Sequence, residues 1–193
     1  MIPLRFAARR CWRSFRCSKS TIPSRRPLNA NASLRRAGNY RHSFHFVPVD
    51  FEKESLAEAL TRSSYDPQVP SFFSWLGVTY YLTRDAIFAT LRSIAEIVPS
   101  GSTVIFDYLD TDAFVPEKAA NRVKITIRYA RQNAGEPMIT GFEPSALATD
   151  LASLGFYLQE NLSPTDIEER YFKGRTDNYH ACEHLHFARA VVE

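Results

Sequence analysis

The chain has 193 residues, of which 45% are hydrophobic, 13% aromatic and 23% charged. That is enough apolar surface for one domain of ordinary size and too much for a mainly disordered protein. No stretch approaches the roughly 20 apolar residues that cross a bilayer, which excludes a membrane-spanning helix. Three cysteines, Cys11, Cys17 and Cys182, make neither a disulfide framework nor a zinc cluster, and a reducing, cytoplasmic compartment is the default.

The formal net charge of +3 conceals a division. Residues 1–44 hold 11 of the 24 Lys and Arg and none of the 21 Asp and Glu, so the remainder carries 13 bases against 21 acids. A strongly basic segment precedes an acidic domain. The segment is rich in Arg and Ser, without regular patterning, and Pro3, Pro23 and Pro27 interrupt any helix. Taken alone, it reads as a mitochondrial-type transit peptide, as a basic arm for nucleic acid, or as a disordered tail.

From residue 45 onward the patterning becomes regular. His45 to Phe51 reads as a short buried strand closed by Asp50, although Pro48 suits an edge or a strand end. Ser55 to Ser63 follows as a helix with Leu56, Ala59 and Leu60 on one face. After the turn-rich stretch from Ser64 to Pro70, the apolar run Phe72 to Val78 predicts a strand covered on both faces. The clearest helix comes next. Thr83 caps it, Asp85 sits in its first turn, Ile87, Leu91, Ile94, Ala95 and Val98 form the buried stripe, and Pro99 and Gly101 stop it.

Thr103 to Tyr108 is again a strand ending in an acid. The alternation of strands and helices predicts an α/β fold with a parallel sheet. Residues 114–133 fit an amphipathic helix, while the β-branched run from Val123 to Ile127 also fits a strand. Pro144 opens a further helix with Leu147, Leu151 and Leu154 on one face and Gly155 at its end. Phe156 to Leu162 and His184 to Val192 read as two closing strands. His180, His184 and His186 invite a metal reading, but alternate positions on a strand put them on one face without an acidic or Cys partner set, and they read as satisfied polar residues. Cys182 reads as a small buried side chain.

The strings F-V-P-V-D-F-E at 46–52, S-L-A-E-A-L at 55–60, F-F-S-W-L-G-V-T-Y-Y-L-T at 72–83 and T-V-I-F-D-Y at 103–108 resemble class I S-adenosylmethionine-dependent methyltransferases. More narrowly, they resemble the branch of the leucine carboxyl methyltransferases. The resemblance covers residues 45–193 and implies an incomplete Rossmann-like sheet, mostly parallel with an antiparallel C-terminal strand, with 46–50, 72–78 and 103–108 as its third, fourth and fifth strands. The cofactor it implies, S-adenosyl-L-methionine, lies across the carboxyl ends of such strands. Asp50 and Phe51 would flank the adenine, a carboxylate accepting from the exocyclic amine and an apolar residue forming the wall. Without the resemblance, Asp50 is a helix cap and Phe51 is core. Ser74, Trp75, Leu76 and Gly77 would face the methionine part, although Trp75 and Leu76 fit plain strand core equally well. Tyr81, Asp107, Tyr108 and the 114–133 segment would flank the acceptor pocket.

Such a family also needs a glycine-rich turn after its first strand and an acid ending its second. Residues 1–44 contain neither, their one glycine being Gly38. Read one frame over, however, codons for residues 17–23 permit F-E-V-D-H-P, those for 28–37 permit K-R-E-R-L-A-E-A-G, and those for 1–7 permit the end of a glycine motif. The expectation is that residues 1–44 are a frameshifted translation, with the frame restored between His42 and Phe46. The coding DNA tests this directly, since its shifted frame must spell these strings. The resulting chain would lack the centre of the sheet and be aggregation-prone.

The implied activity is S-adenosylmethionine-dependent methyl transfer to an oxygen of a small organic acceptor, with no specific nucleic acid, membrane or metal partner. The rival readings are a non-catalytic remnant or interaction module, and a basic-arm nucleic-acid binder. A genuine transit peptide would move the location from cytoplasm to mitochondrion.

Overall fold

The structure, a computed structural model, describes residues 56–62, 65–134 and 137–193. The strand expected at 45–51, with Asp50 and Phe51, lies outside the described residues. The first element is helix α1, Leu56–Thr61, whose Leu56 is buried in the main core. Strand β1, Phe72–Trp75, is shorter than the apolar run suggests. The run is cut at Gly77, which takes a left-handed φ of 74°, and the chain then coils into a 3-10 turn, Thr79–Tyr81. Only glycine enters that region at no steric cost.

Helix α2, Arg84–Ile97, forms as its sequence predicts. The Thr83 hydroxyl accepts from the Ala86 N–H at 3.2 Å, and Asp85 lies at the positive end of the helix dipole. Ile87, Leu91 and Ile94 are essentially inaccessible to solvent. Each such side chain contributes roughly 1.5–3 kcal/mol by leaving water, which outweighs any propensity term in this helix. Strand β2, Thr103–Leu109, pairs parallel to β1 from Phe72 opposite Thr103 to Trp75 opposite Phe106. Its Val104, Phe106 and Tyr108 are buried, and so are Asp107 and Leu109 on the other face. Its carboxyl half is therefore covered on both sides, as a central strand of an α/β sheet must be.

A 3-10 turn, Thr111–Phe114, leads to helix α3, Asn121–Tyr129, which widens into a π turn over Ala130–Ala134. The helical alternative for this stretch is the correct one. Val123 is its buried anchor, while Ile125 and Tyr129 are exposed. Helix α4 spans Leu147–Ala152. It starts three residues after Pro144, which sits in the preceding turn instead of the first helical turn, and Gly155 ends the region with φ 83°. Strand β3, Phe156–Leu162, is followed by the short helix α5, Pro164–Ile167, with a full capping box between Ser163 and Asp166. A π turn, Glu168–Phe172, completes it, and strand β4, Leu185–Val192, closes the fold.

The described sheet has the order β1-β2-β4-β3. Strand β4 is antiparallel to both neighbours, pairing Thr103 with Val191 through Leu109 with Leu185 on one side and Phe156 with Val192 on the other. Hence β1, β2 and β3 point one way and β4 alone runs against them. The α/β class and the reversed last strand match the expectation. The main core lies between the sheet and α1, α2 and α4, and includes Trp75, Ile87, Leu91, Phe106, Tyr108 and Phe156. A second, smaller apolar cluster of Leu109, Ala113 and Val123, packed by Tyr80, Phe114, Ile127 and Met138, gathers the segments that leave the carboxyl ends of β1 and β2.

Candidate transfer site at the carboxyl ends of the parallel strands

Because β1 and β2 are parallel, the residues that follow them emerge side by side at one end of the sheet, where open α/β sheets bind ligands. Asp107 occupies the last turn of β2 there, 5% exposed. Its Oδ1 accepts from the Gly77 N–H at 2.5 Å, and its carbonyl accepts from the Thr79 hydroxyl at 2.5 Å. The left-handed Gly77 turns its N–H onto the carboxylate, and one acid thereby joins both strand ends. Burial pushes the Asp107 carboxyl up to about 6, with the Gly77 N–H partly opposing that rise. Asp107 therefore holds a proton to a higher pH than an ordinary carboxylate.

Tyr108 points the other way in the pleat and is fully buried in the main core. Its hydroxyl pairs with Asn161 Oδ1 at 2.9 Å across the sheet, and its ring stacks on His186 with centroids 4.9 Å apart. Burial pushes the phenol up to about 12, so it stays protonated at neutral pH. Trp75 is 3% exposed and its ring belongs to the main core. Leu76 is half-buried against the same core. Tyr81 is half-buried, with its ring 4.8 Å from that of Tyr80. The structure thus brings Gly77 and Asp107 into contact, puts Tyr81 in the turn beside them, and places Trp75 and Tyr108 in the core beneath.

The histidines are arranged differently from a strand face. His180 precedes the strand and lies 3.4 Å from the Arg122 guanidinium. His184 has φ 66° and stands before β4 begins, so strand alternation does not relate it to His186. Both nevertheless meet Asp110, His184 Nδ1 at 2.8 Å from Oδ1 and His186 Nε2 at 3.4 Å from Oδ2. The acid missing from the sequence pattern is thus supplied from 74 residues away. Burial holds His186 below the ordinary histidine value. Among the described residues, no group of three or more His, Cys, Asp and Glu converges as metal ligands would. Cys182 is half-buried, and burial raises its thiol.

A cleft of about 590 Å³ opens elsewhere, between α1 and the end of α2, lined by Leu60, Tyr65, Ile97 and Pro99 among others. Those residues precede β1 and β2, so the cleft lies at the amino ends of the strands, opposite Asp107. Sequence reasoning missed the Gly77–Asp107 and His184–Asp110 contacts; their only signal was an acid at or just beyond the end of a predicted strand.

Residues 27–95 match the model of the leucine carboxyl methyltransferase family. Over 147 residues the chain is 37% identical to YktD of Bacillus subtilis (strain 168), a protein named as an S-adenosyl-L-methionine-dependent methyltransferase. Over these stretches the chain is similar in sequence to methyltransferases of the leucine carboxyl methyltransferase type. The alignment takes in 76% of this chain and 48% of YktD, so the chain spans about half the length of the curated relative it matches. Among solved structures, the methyltransferase fold is shared with a Thermobifida fusca YX protein described as a methyltransferase, at a TM-score of 0.55 and 16% identity over 83% of this chain and 58% of that one. It is shared also with the mitomycin 7-O-methyltransferase MmcR, at a TM-score of 0.51 and 12% identity over 84% and 38% of the two chains. Among the described residues, no helix is long and apolar enough to cross a membrane.

Proposed function

We propose that residues 45–193 are the C-terminal part of an S-adenosylmethionine-dependent methyltransferase domain that transfers a methyl group to an oxygen of a small organic acceptor. The observation that carries this reading is the junction of Gly77 and Asp107 where the two parallel strands end. A left-handed glycine and a buried acid there form a polar, close-approach corner in an otherwise apolar wall. The donor set suits the cofactor. In this reading the main chain around Leu76 and Gly77 would meet its methionine part, and Asp50 and Phe51 would flank the adenine by the family pattern. When bound, S-adenosylmethionine supplies an electrophilic methyl carbon.

The chain's own residues would then do three things. The apolar cluster of Leu109, Ala113 and Val123 excludes water from the carboxyl-end face. Tyr81 and Asp107 stand on the acceptor side in this reading, whereas Tyr108 is enclosed in the main core on the opposite face of the sheet; orienting an oxygen lone pair toward the methyl carbon is the main catalytic contribution such a site makes. Asp107, whose carboxyl is held near 6, can accept the acceptor's proton as the new bond forms.

Calorimetry of the 193-residue chain with S-adenosylmethionine tests the reading. Saturable heat at 1:1 stoichiometry supports the enzyme reading for this chain and overturns the expectation that residues 1–44 fail to supply the glycine turn and the ribose acid. Its absence in a folded sample overturns the enzyme reading in favour of a non-catalytic remnant. Binding to arbitrary DNA that weakens steeply with salt would instead support the basic-arm reading.

A further inference from the structure

We propose that Asp110 and His184 form a positioning pair that sets where helix α3 begins, and with it the roof of the acceptor side of the transfer site. The inference rests on the methyltransferase reading for the meaning of that face, and on geometry for the pair itself.

Asp110 is the first residue beyond β2 and a node for four segments. Its Oδ1 accepts from the Ala113 N–H at 3.0 Å, which caps the 3-10 turn, and from His184 Nδ1 at 2.8 Å. Its own N–H donates to the His184 carbonyl at 2.9 Å, and it forms a parallel bridge with Phe142. Across the imidazole, His184 Nε2 accepts from the Ala120 N–H at 3.0 Å. Ala120 is the N-cap residue of α3, and no side chain of its own caps that helix. A capping acceptor is thus delivered from the residue before β4, 64 positions away in the chain.

The chemistry fixes the proton. Nε2 is an acceptor toward Ala120, so Nδ1 carries the hydrogen and donates it to Asp110. The carboxylate selects this tautomer, and only this tautomer can hold the helix start. His184 keeps a left-handed φ of 66° to do so, a conformation costly for a side chain of its size. A solvent-facing residue at this position would gain nothing from that cost. Helix α3 carries Val123 into the second apolar cluster beside Leu109, Ala113 and Tyr80, which lies over the carboxyl ends of β1 and β2. Arg122 makes a separate tie, donating to the Ala181 carbonyl at 2.7 Å and to Glu183 at 3.0 Å. That tie orients the helix flank, whereas the imidazole sets its first residue.

The test is spectroscopic and needs no acceptor. Nitrogen-15 shifts of the His184 ring in the full chain are expected to show a protonated Nδ1 and a bare Nε2. The Ala120 amide is expected to be protected from exchange. His184→Ala should speed its exchange about tenfold, the loss of one hydrogen bond. His184→Asn tolerates the left-handed backbone and keeps an amide that can donate to Asp110, so any rescue it gives belongs to the fold of the loop and not to the helix cap. Slow Ala120 exchange in His184→Ala, or a His184 ring protonated at Nε2 alone in the wild type, overturns the proposal. Asp110→Ala provides a second arm, since it removes the acceptor that holds the hydrogen on Nδ1 and should release Ala120 in the same way. Calorimetry with S-adenosylhomocysteine on the wild type fails only if the methyltransferase reading fails, and so separates the two claims.

Discussion

Asp107 is a carboxyl group whose ionisation the fold opposes, and the sign of its effect on stability follows. Its folded value, about 6, lies above the ordinary 3.8. Between those values the native chain keeps a proton that the unfolded chain has released, so stability falls as pH rises across the window and levels off above it. The full effect is roughly 2–3 kcal/mol at about 1.4 kcal/mol per unit. Asp107→Asn keeps an acceptor for the Gly77 N–H and removes the titration, so its melting temperature should lose that dependence and exceed the wild type's at pH 7.5. Thermal melts of both proteins from pH 4 to pH 8 check this. Gly141 offers a second prediction at the same scale. A Cβ there would lie 2.8 Å from the Asp110 carbonyl oxygen and 3.0 Å from the Phe114 ring. Backbone cannot yield as a flexible side chain does, so Gly141→Ala should cost about 1–3 kcal/mol in urea denaturation.

Elements whose signals are local could be read from the chain alone. Helix α2 has its cap, its dipole-matched acid, its 3.6-residue stripe and its stopping proline all within eighteen residues, and it forms between the expected ends. Thr83→Ala should therefore lower stability by about 1 kcal/mol without changing the fold, as guanidinium melts would show. Leu91→Ala in its buried stripe should cost about 2–5 kcal/mol by the same measurement. Strand β1 is shorter than its apolar run predicts because such a run does not announce the turn inside it; Gly77 does, by its identity, but only its pairing with Asp107 explains the left-handed conformation. Strand β4 starts one residue later than its pattern predicts for a similar reason, since His184 is diverted by a carboxylate that sequence spacing cannot place beside it. Helix α5 carried a local signal, Ser163 followed three residues later by Asp166, that went unused. The candidate site was thus readable as residue types at strand ends, while the contacts that give those residues their protonation and orientation are tertiary.

At the scale of the molecule, the described sheet joins three strands of one direction through a single reversed one. Strand β3 pairs, among the described strands, with β4 alone, and β4 also completes the hydrogen bonding of β2 along its whole length. Deleting residues 185–193 should therefore expose both β2 and β3, and the truncated chain should bind a hydrophobic dye and lose cooperative melting; a sharp transition in that variant would contradict the account. This arrangement also sets a schedule. Strand β4 is synthesised after every element it touches, and the small Ala188 and Ala190 that it slides between its neighbours belong to the main core. Until those residues clear the ribosome, β2 and β3 wait as open ribbons with their backbone polar groups on offer. The chain's most hazardous interval in the cell is thus the pause between translating Leu162 and releasing Val192, when a chaperone has the most to shield.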